Sequence, residues 1–291
     1  VSTGSIEIDK DRNVLWISVL AFAVKGQLFK FDIASKTFTT YDLPPHLDSP
    51  VGIAIDKKGN PWVTDHGTSI FFMVNSTNGK VTEYSTSPLL ISSANGPNVS
   101  GDTLPYWIKM DPEGNLWFNE HVGNKLARFN NTDGTLVEYR IPTQNKFMSP
   151  GISNTLQFSI GKNNQIWFSE WTENKLGMLN GSKALPFVVD TGSTEYTAKK
   201  GETIEIPLVI SAIDKVNIKM IASSTFTKTG SFGNSTFSFS QESFSMNSGE
   251  TKNITFLVTP SNDLAIGDYT IMIGAENNEV SYLDSIKAHI S

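Results

Sequence analysis

Gly52-Ile53-Ala54-Ile55-Asp56 followed by Gly59-Asn60-Pro61-Trp62-Val63-Thr64-Asp65, and Trp107-Ile108-Lys109-Met110-Asp111 followed by Gly114-Asn115-Leu116-Trp117-Phe118-Asn119-Glu120, are one pattern written twice. It returns as Leu156-Gln157-Phe158-Ser159-Ile160 with Asn164-Gln165-Ile166-Trp167-Phe168-Ser169-Glu170. A looser copy is Ile6-Glu7-Ile8-Asp9 with Asn13-Val14-Leu15-Trp16-Ile17-Ser18. Trp16, Trp62, Trp117 and Trp167 are therefore spaced by 46, 55 and 50 residues. A recurrence of this period marks a repeat architecture, and it decides the fold before any single element does.

Each copy continues with a third segment, such as Asn124-Lys125-Leu126-Ala127-Arg128-Phe129 or Asn174-Lys175-Leu176-Gly177-Met178-Leu179. Three copies add a fourth: Thr39-Thr40-Tyr41-Asp42-Leu43-Pro44, Val81-Thr82-Glu83-Tyr84 and Val137-Glu138-Tyr139-Arg140-Ile141-Pro142. Asp56-Lys57-Lys58-Gly59 and Asp111-Pro112-Glu113-Gly114 carry the Asp, Pro and Gly that tight turns require. Four short strands per repeat is the content of a β-propeller blade. Runs of helical period are scarce, so the reading is all-β.

These residues resemble the streptogramin lyase (virginiamycin B lyase) family, whose repeat reads P-x-G-I, D-x-x-G-N-x-W-F-x-E, N-K-I-G and E-Y-x-I-P. The resemblance covers about residues 1–187. It implies seven blades, and seven at this repeat length need more than about 300 residues. The four visible blades are accordingly read as part of a seven-bladed ring whose preceding blades lie outside this chain, with a compact four-bladed ring as the second choice. The resemblance also implies an Mg²⁺-dependent elimination that opens the ester-linked ring of a cyclic antibiotic, with metal-binding Glu residues and a His base. No specific His here aligns with the family's base, and the fourth repeat has Trp171 where the second and third have His66 and His121.

The repeat ends near Phe187-Val188-Val189-Asp190, and no Trp follows. Ser and Thr become frequent, and alternation is clear in Thr203–Ile210, Phe237–Ser240 and Lys252–Val258. About seven such strands in roughly 100 residues make an immunoglobulin-like β-sandwich. Ser248–Pro260 with Gly267-Asp268-Tyr269-Thr270-Ile271 resembles the final hairpin of bacterial and archaeal surface Ig-like domains. Two domains are expected: propeller repeats over 1–187 and the sandwich over 191–291.

Composition limits the function. The 291 residues carry a net charge of −6, which argues against nucleic acid as a partner. With no Cys, a disulfide framework, a thiolate nucleophile and a Cys-ligated metal are excluded. No apolar stretch reaches 18 residues, and the longest, Val14–Val24, reads as buried strand rather than as signal peptide or membrane span. The chain starts at Val1 without an initiator Met, so it is read as processed or as a fragment of a longer chain. No Gly-x-Ser-x-Gly elbow, Walker loop or zinc-helix spacing is present.

The core tryptophans are expected to pack between blades. Trp107, Tyr106 and Trp171 fall outside that register and are the candidates for stacking on a ligand. Three residues after the core Trp stand Asp65, Glu120 and Glu170, which the four-strand reading places on one rim. They could hold Mg²⁺ or Ca²⁺, with His66 and His121 beside them to move a proton. Alternatively, they accept hydrogen bonds from backbone groups of the following turn. Asn-x-Ser/Thr sequons at Asn75, Asn98, Asn130, Asn180, Asn234 and Asn253 are candidate glycosylation sites, in a number that composition alone nearly explains.

Three functions follow as expectations. The first is an extracellular or cell-surface binding module for other surface proteins or glycans. The second is a metal-dependent carbon–oxygen lyase using the rim. The third is an assembly component in which another chain completes the propeller through an open edge.

Overall fold

The computed structural model describes residues 2–20, 25–89, 101–144 and 153–291. Apart from two single 3-10 turns, its regular structure is strand throughout. Four antiparallel meanders follow one another. The first is β1 (Ser2–Asp9), β2 (Val14–Leu20), β3 (Gln27–Asp32) and β4 (Thr37–Asp42). The second is β5 (Pro50–Ile55), β6 (Pro61–Asp65), β7 (Ile70–Val74) and β8 (Val81–Ser85). The third is β9 (Pro105–Met110), β10 (Leu116–Glu120), β11 (Lys125–Asn130) and β12 (Thr135–Arg140). The fourth has three strands, β13 (Phe158–Ile160), β14 (Gln165–Glu170) and β15 (Lys175–Asn180). These are propeller blades, each centred on one of the recurrent tryptophans. The apolar run from Val14 is β2, and its last residues, 21–24, lie outside the described residues.

The turn chemistry explains the motif. Asp56 accepts from the amides of Lys58 and Asn60, from Asn60 Nδ2, and from Trp62 Nε1 at 3.3 Å. Asp111 repeats this with Asn115 and with Trp117 Nε1 at 3.0 Å. Gly59 and Gly114 sit at φ of +85° and +97°, where a side chain is strained. Each Asp–x–x–Gly–Asn turn thus fixes the indole two residues beyond it.

Trp16 packs into a core with Ile53, Val63 and Phe72 of the second blade. Trp62 shares one with Ile108 and Phe118 of the third, and Trp117 one with Phe158 and Ile166 of the fourth. The expected inter-blade role therefore holds for these three. Trp167 differs: it is half exposed, because among the described residues no further blade covers it.

The remaining strands are β16 (Phe187–Asp190), β17 (Glu195–Ala198), β18 (Ile204–Ala212), β19 (Val216–Ser224), β20 (Thr236–Phe239), β21 (Ser243–Met246), β22 (Thr251–Thr259), β23 (Gly267–Glu276) and β24 (Val280–Ile290). One sheet runs β16-β18-β22-β20, and facing strands run β21-β19-β23-β24 with β17 parallel to β24. Ile206, Leu208, Ile254 and Phe256 from the first meet Ile218, Met220, Ile273 and Ile286 from the second in one apolar core.

This second part is joined to the blades by main chain. β24 pairs antiparallel with β12, from Thr135↔Asp284 to Tyr139↔Val280, so the third blade continues directly into the β23–β24 sheet. Ile221, Met272 and Leu283 complete the core formed by Phe71, Phe118, Phe129 and Leu136. Arg140 pairs with Glu276 at 2.5 Å, and Ser85 Oγ donates to Ser223 Oγ at 3.0 Å.

Candidate functional site

The end of β6 and the end of β10 lie on the same rim. There the structure brings together three of the residues singled out from sequence. His66 Nε2 and His121 Nδ1 are 3.3 Å apart, with nearly parallel rings whose centroids are 5.1 Å apart. The Tyr106 ring lies 4.8 Å from His66 and 5.9 Å from His121. Backbone bonds hold the imidazoles in place: His66 N donates to Ser49 O and His121 N to Leu104 O. His66 Nδ1 is buried without a partner. Burial, then the charge of the neighbouring ring, pushes His66 down to about 4, and burial also lowers His121. Both are neutral at pH 7, and His66 is a weak base there.

The three rim acids do not converge on this pair. Asp65 accepts from the amides of Ser49 at 2.8 Å and Gly67 at 3.2 Å, and burial raises it to about 6. Glu120 is fully buried beneath the rim, where its Oε2 faces Lys125 Nζ at 3.2 Å. Lys125 also reaches Glu138 Oε2 at 2.9 Å, and the Ser87 amide donates to Glu138 Oε1 at 2.7 Å. Burial and the Glu138 charge push Glu120 up to about 8. Burial would raise Glu138 too, but Lys125 and Ser87 outweigh it and hold Glu138 low. Glu170 is buried with one carboxylate oxygen unpartnered. Every His, Asp and Glu of the chain is among the described residues, and no three of them draw together into a metal-holding group. The donor set does not fit Mg²⁺ or Ca²⁺: two backbone amides occupy Asp65 and an ammonium occupies Glu120.

Of the stacking candidates, Trp107 is half-buried against the main core, and Trp171 stands exposed on the fourth blade. His46 pairs with Glu83 at 2.9 Å and His289 with Asp268 at 2.7 Å, both away from the rim pair. Asn75, Asn130 and Asn180 lie at the ends of β7, β11 and β15, and Asn234 and Asn253 are exposed. Asn98 lies outside the described residues.

Two features escaped the sequence reading. Lys125 looks like an ordinary surface lysine, and only its ion pair with Glu138 of the neighbouring strand shows why it is buried. A cleft of about 360 Å³ opens beside Tyr139, Arg140, Leu179, Lys183, Leu185 and Glu279, between strands far apart in sequence.

The fold and rim define an all-β chain of propeller blades fused to a second pair of sheets. No protein-family model and no curated protein matches it. Among solved structures, it is similar to virginiamycin B lyase from Staphylococcus aureus at 16% identity, covering 97% of this chain and 94% of that one, with a TM-score of 0.41. A streptogramin B lyase is similar at 15% identity over 97% and 93%, with a TM-score of 0.41. A putative gluconolactonase is similar at 12% identity over 99% and 90%, with a TM-score of 0.44.

Proposed function

We propose that the chain is an extracellular or cell-surface binding module whose recognition face is the His66–His121–Tyr106 rim. The observation that carries this reading is the partnering of the rim acids. Asp65 and Glu120 are spent on amides and on Lys125, while two neutral imidazoles and a phenol remain half-buried on the rim. Flat rings with polar edges suit sugars and aromatic groups. A base poised near 7 is what proton abstraction needs, and a His lowered to about 4 is poorly matched to it.

The second part supports the same reading. The order β16-β18-β22-β20 facing β21-β19-β23-β24 is compatible with the immunoglobulin-like sandwich expected from sequence, which we take as part of this proposal. Exposed Asn234 and Asn253 are available for glycosylation. A glycan array and a surface-protein library, probed with the wild type, Tyr106→Ala and His121→Ala, test the proposal. The expected result is a ligand retained by the wild type and weakened at least about tenfold by either change. Ring opening of a streptogramin B depsipeptide with Mg²⁺, lost in His121→Ala, would overturn it in favour of the lyase.

A further inference from the structure

We propose that this chain joins a second copy of itself head to tail, the Trp167 face of one copy seating on the Ile6 face of the other. The inference does not depend on the rim or its ligand. It rests on the joint that the chain already builds three times between its own blades.

In each internal joint, a blade presents its Trp and a large residue of its third strand to the first two strands of the next blade. The register identifies the equivalents. Leu28 lies opposite Ser18, Phe71 opposite Thr64, Leu126 opposite Asn119, and Leu176 opposite Ser169. Leu28, Phe71 and Leu126 are buried, whereas Leu176 is 79% exposed, beside Trp167 at 49% and Met178 at 48%. On the receiving side, Ile53 lies opposite Val63, Ile108 opposite Phe118, and Ile6 opposite Ile17. Ile53 and Ile108 are buried, and Ile6 is 58% exposed with Phe38 at 63% on the same blade.

A polar contact repeats with the apolar one. Ser18 Oγ donates to Val51 O, Thr64 Oγ1 to Tyr106 O and Asn119 Nδ2 to Thr155 O, each crossing to the following blade. Ser169 Oγ turns back to Gln157 O of its own blade. Among the described residues, one donor face and one receiving face of this joint are thus left uncovered. A second copy supplies the complement of both, without any surface not already seen to pack. Exposed apolar faces of this kind mark association sites. A joint between unlike faces closes into a ring or runs on as a filament. Two copies supply eight blades, within the range that closes, so a closed pair is expected. Seven blades, the expectation from sequence, would need three blades from elsewhere.

Sedimentation velocity and light scattering across micromolar concentrations test this on the 291-residue chain. The expected species has twice the 32.0 kDa mass of the chain. Trp167→Glu and Ile6→Lys should each weaken pairing more than about tenfold. Their circular dichroism and unfolding midpoints should match the wild type, because both side chains are exposed in the single copy. Mixing the two variants should restore a pair, held by one unaltered joint and one Glu–Lys joint. A wild type that stays monomeric, a pair that both variants leave intact, growth into open filaments, or a mixture that stays monomeric would each overturn the proposal.

Discussion

Lys125 is the residue on which the third blade turns. Its ammonium sits between Glu120 and Glu138 with almost no access to water, so one cation faces two carboxyl groups. Burial alone would lower Lys125, but both glutamates outweigh it and keep it charged. The two acids then divide their roles: Glu138 stays ionised, and Glu120, raised to about 8, keeps its proton at neutral pH. Glu120→Gln should therefore cost less than about 1 kcal/mol at pH 7, since it replaces a protonated acid with a neutral isostere. Glu138→Gln should cost about 3–5 kcal/mol, because it strips the buried ammonium of its ionised partner. Folded Glu120 binds its proton more tightly than the unfolded chain, so it withdraws stability as pH rises from its ordinary 4.5 toward about 8. Between about pH 6 and 8, above the range where Asp65 and Asp284 titrate, the slope read by urea unfolding should be smaller in Glu120→Gln than in the wild type.

At the scale of elements, the inner strand of each of the first three blades is irregular, and one side chain repairs it. Register shifts occur between Thr3 and Ile6, between Pro50 and Ile53, and opposite Phe118 and Glu120. The freed amides of Ser5, Gly52 and Trp107 donate to Ser18 Oγ, Thr64 Oγ1 and Asn119 Oδ1. The same side chains donate across to the next blade, so one polar position both closes a bulge and ties two sheets together. Asn119→Leu should cost about 2–4 kcal/mol, since it leaves a buried amide and a buried carbonyl unpaired. Ser169→Ala should cost under about 0.5 kcal/mol, since among the described residues the Ser169 hydroxyl bonds only Gln157 of its own blade. Chemical denaturation of the two variants provides the comparison. The position two after the core Trp is visible in the sequence as Ser, Thr, Asn and Ser. Its role was not legible, because the carbonyls it reaches lie 33 to 42 residues away.

For the whole molecule, the joining of β24 to β12 matters most. All six tryptophans lie between Trp16 and Trp171, so Trp fluorescence is emitted from the blades. Leu283 belongs to the last strand, yet it is fully buried in the core that holds Trp62 and Phe118. Leu283→Ala should therefore lower the Trp-monitored unfolding midpoint, with a cost of about 2–5 kcal/mol. Far-ultraviolet circular dichroism should follow the same transition. Two separate transitions, with the fluorescence midpoint unmoved, would mean that the blades stand without the second part.

By itself, the sequence determined the local order of this protein. The Asp–x–x–Gly–Asn–x–Trp turns, the period-2 strands and the four-segment repeat are short-range features, fixed by turn geometry and alternation, and they place His66, His121 and Tyr106 on one rim. The tertiary structure alone decided which acids face that rim and which are consumed by Lys125, because that choice depends on Glu138, one strand from Lys125 and two from Glu120. It alone decided that the last strand extends the third blade, and that among the described residues the outer faces at Trp167 and Ile6 stay uncovered. Strand pairing and burial join residues far apart in the chain, and no local pattern encodes which of two equivalent apolar faces will find a partner.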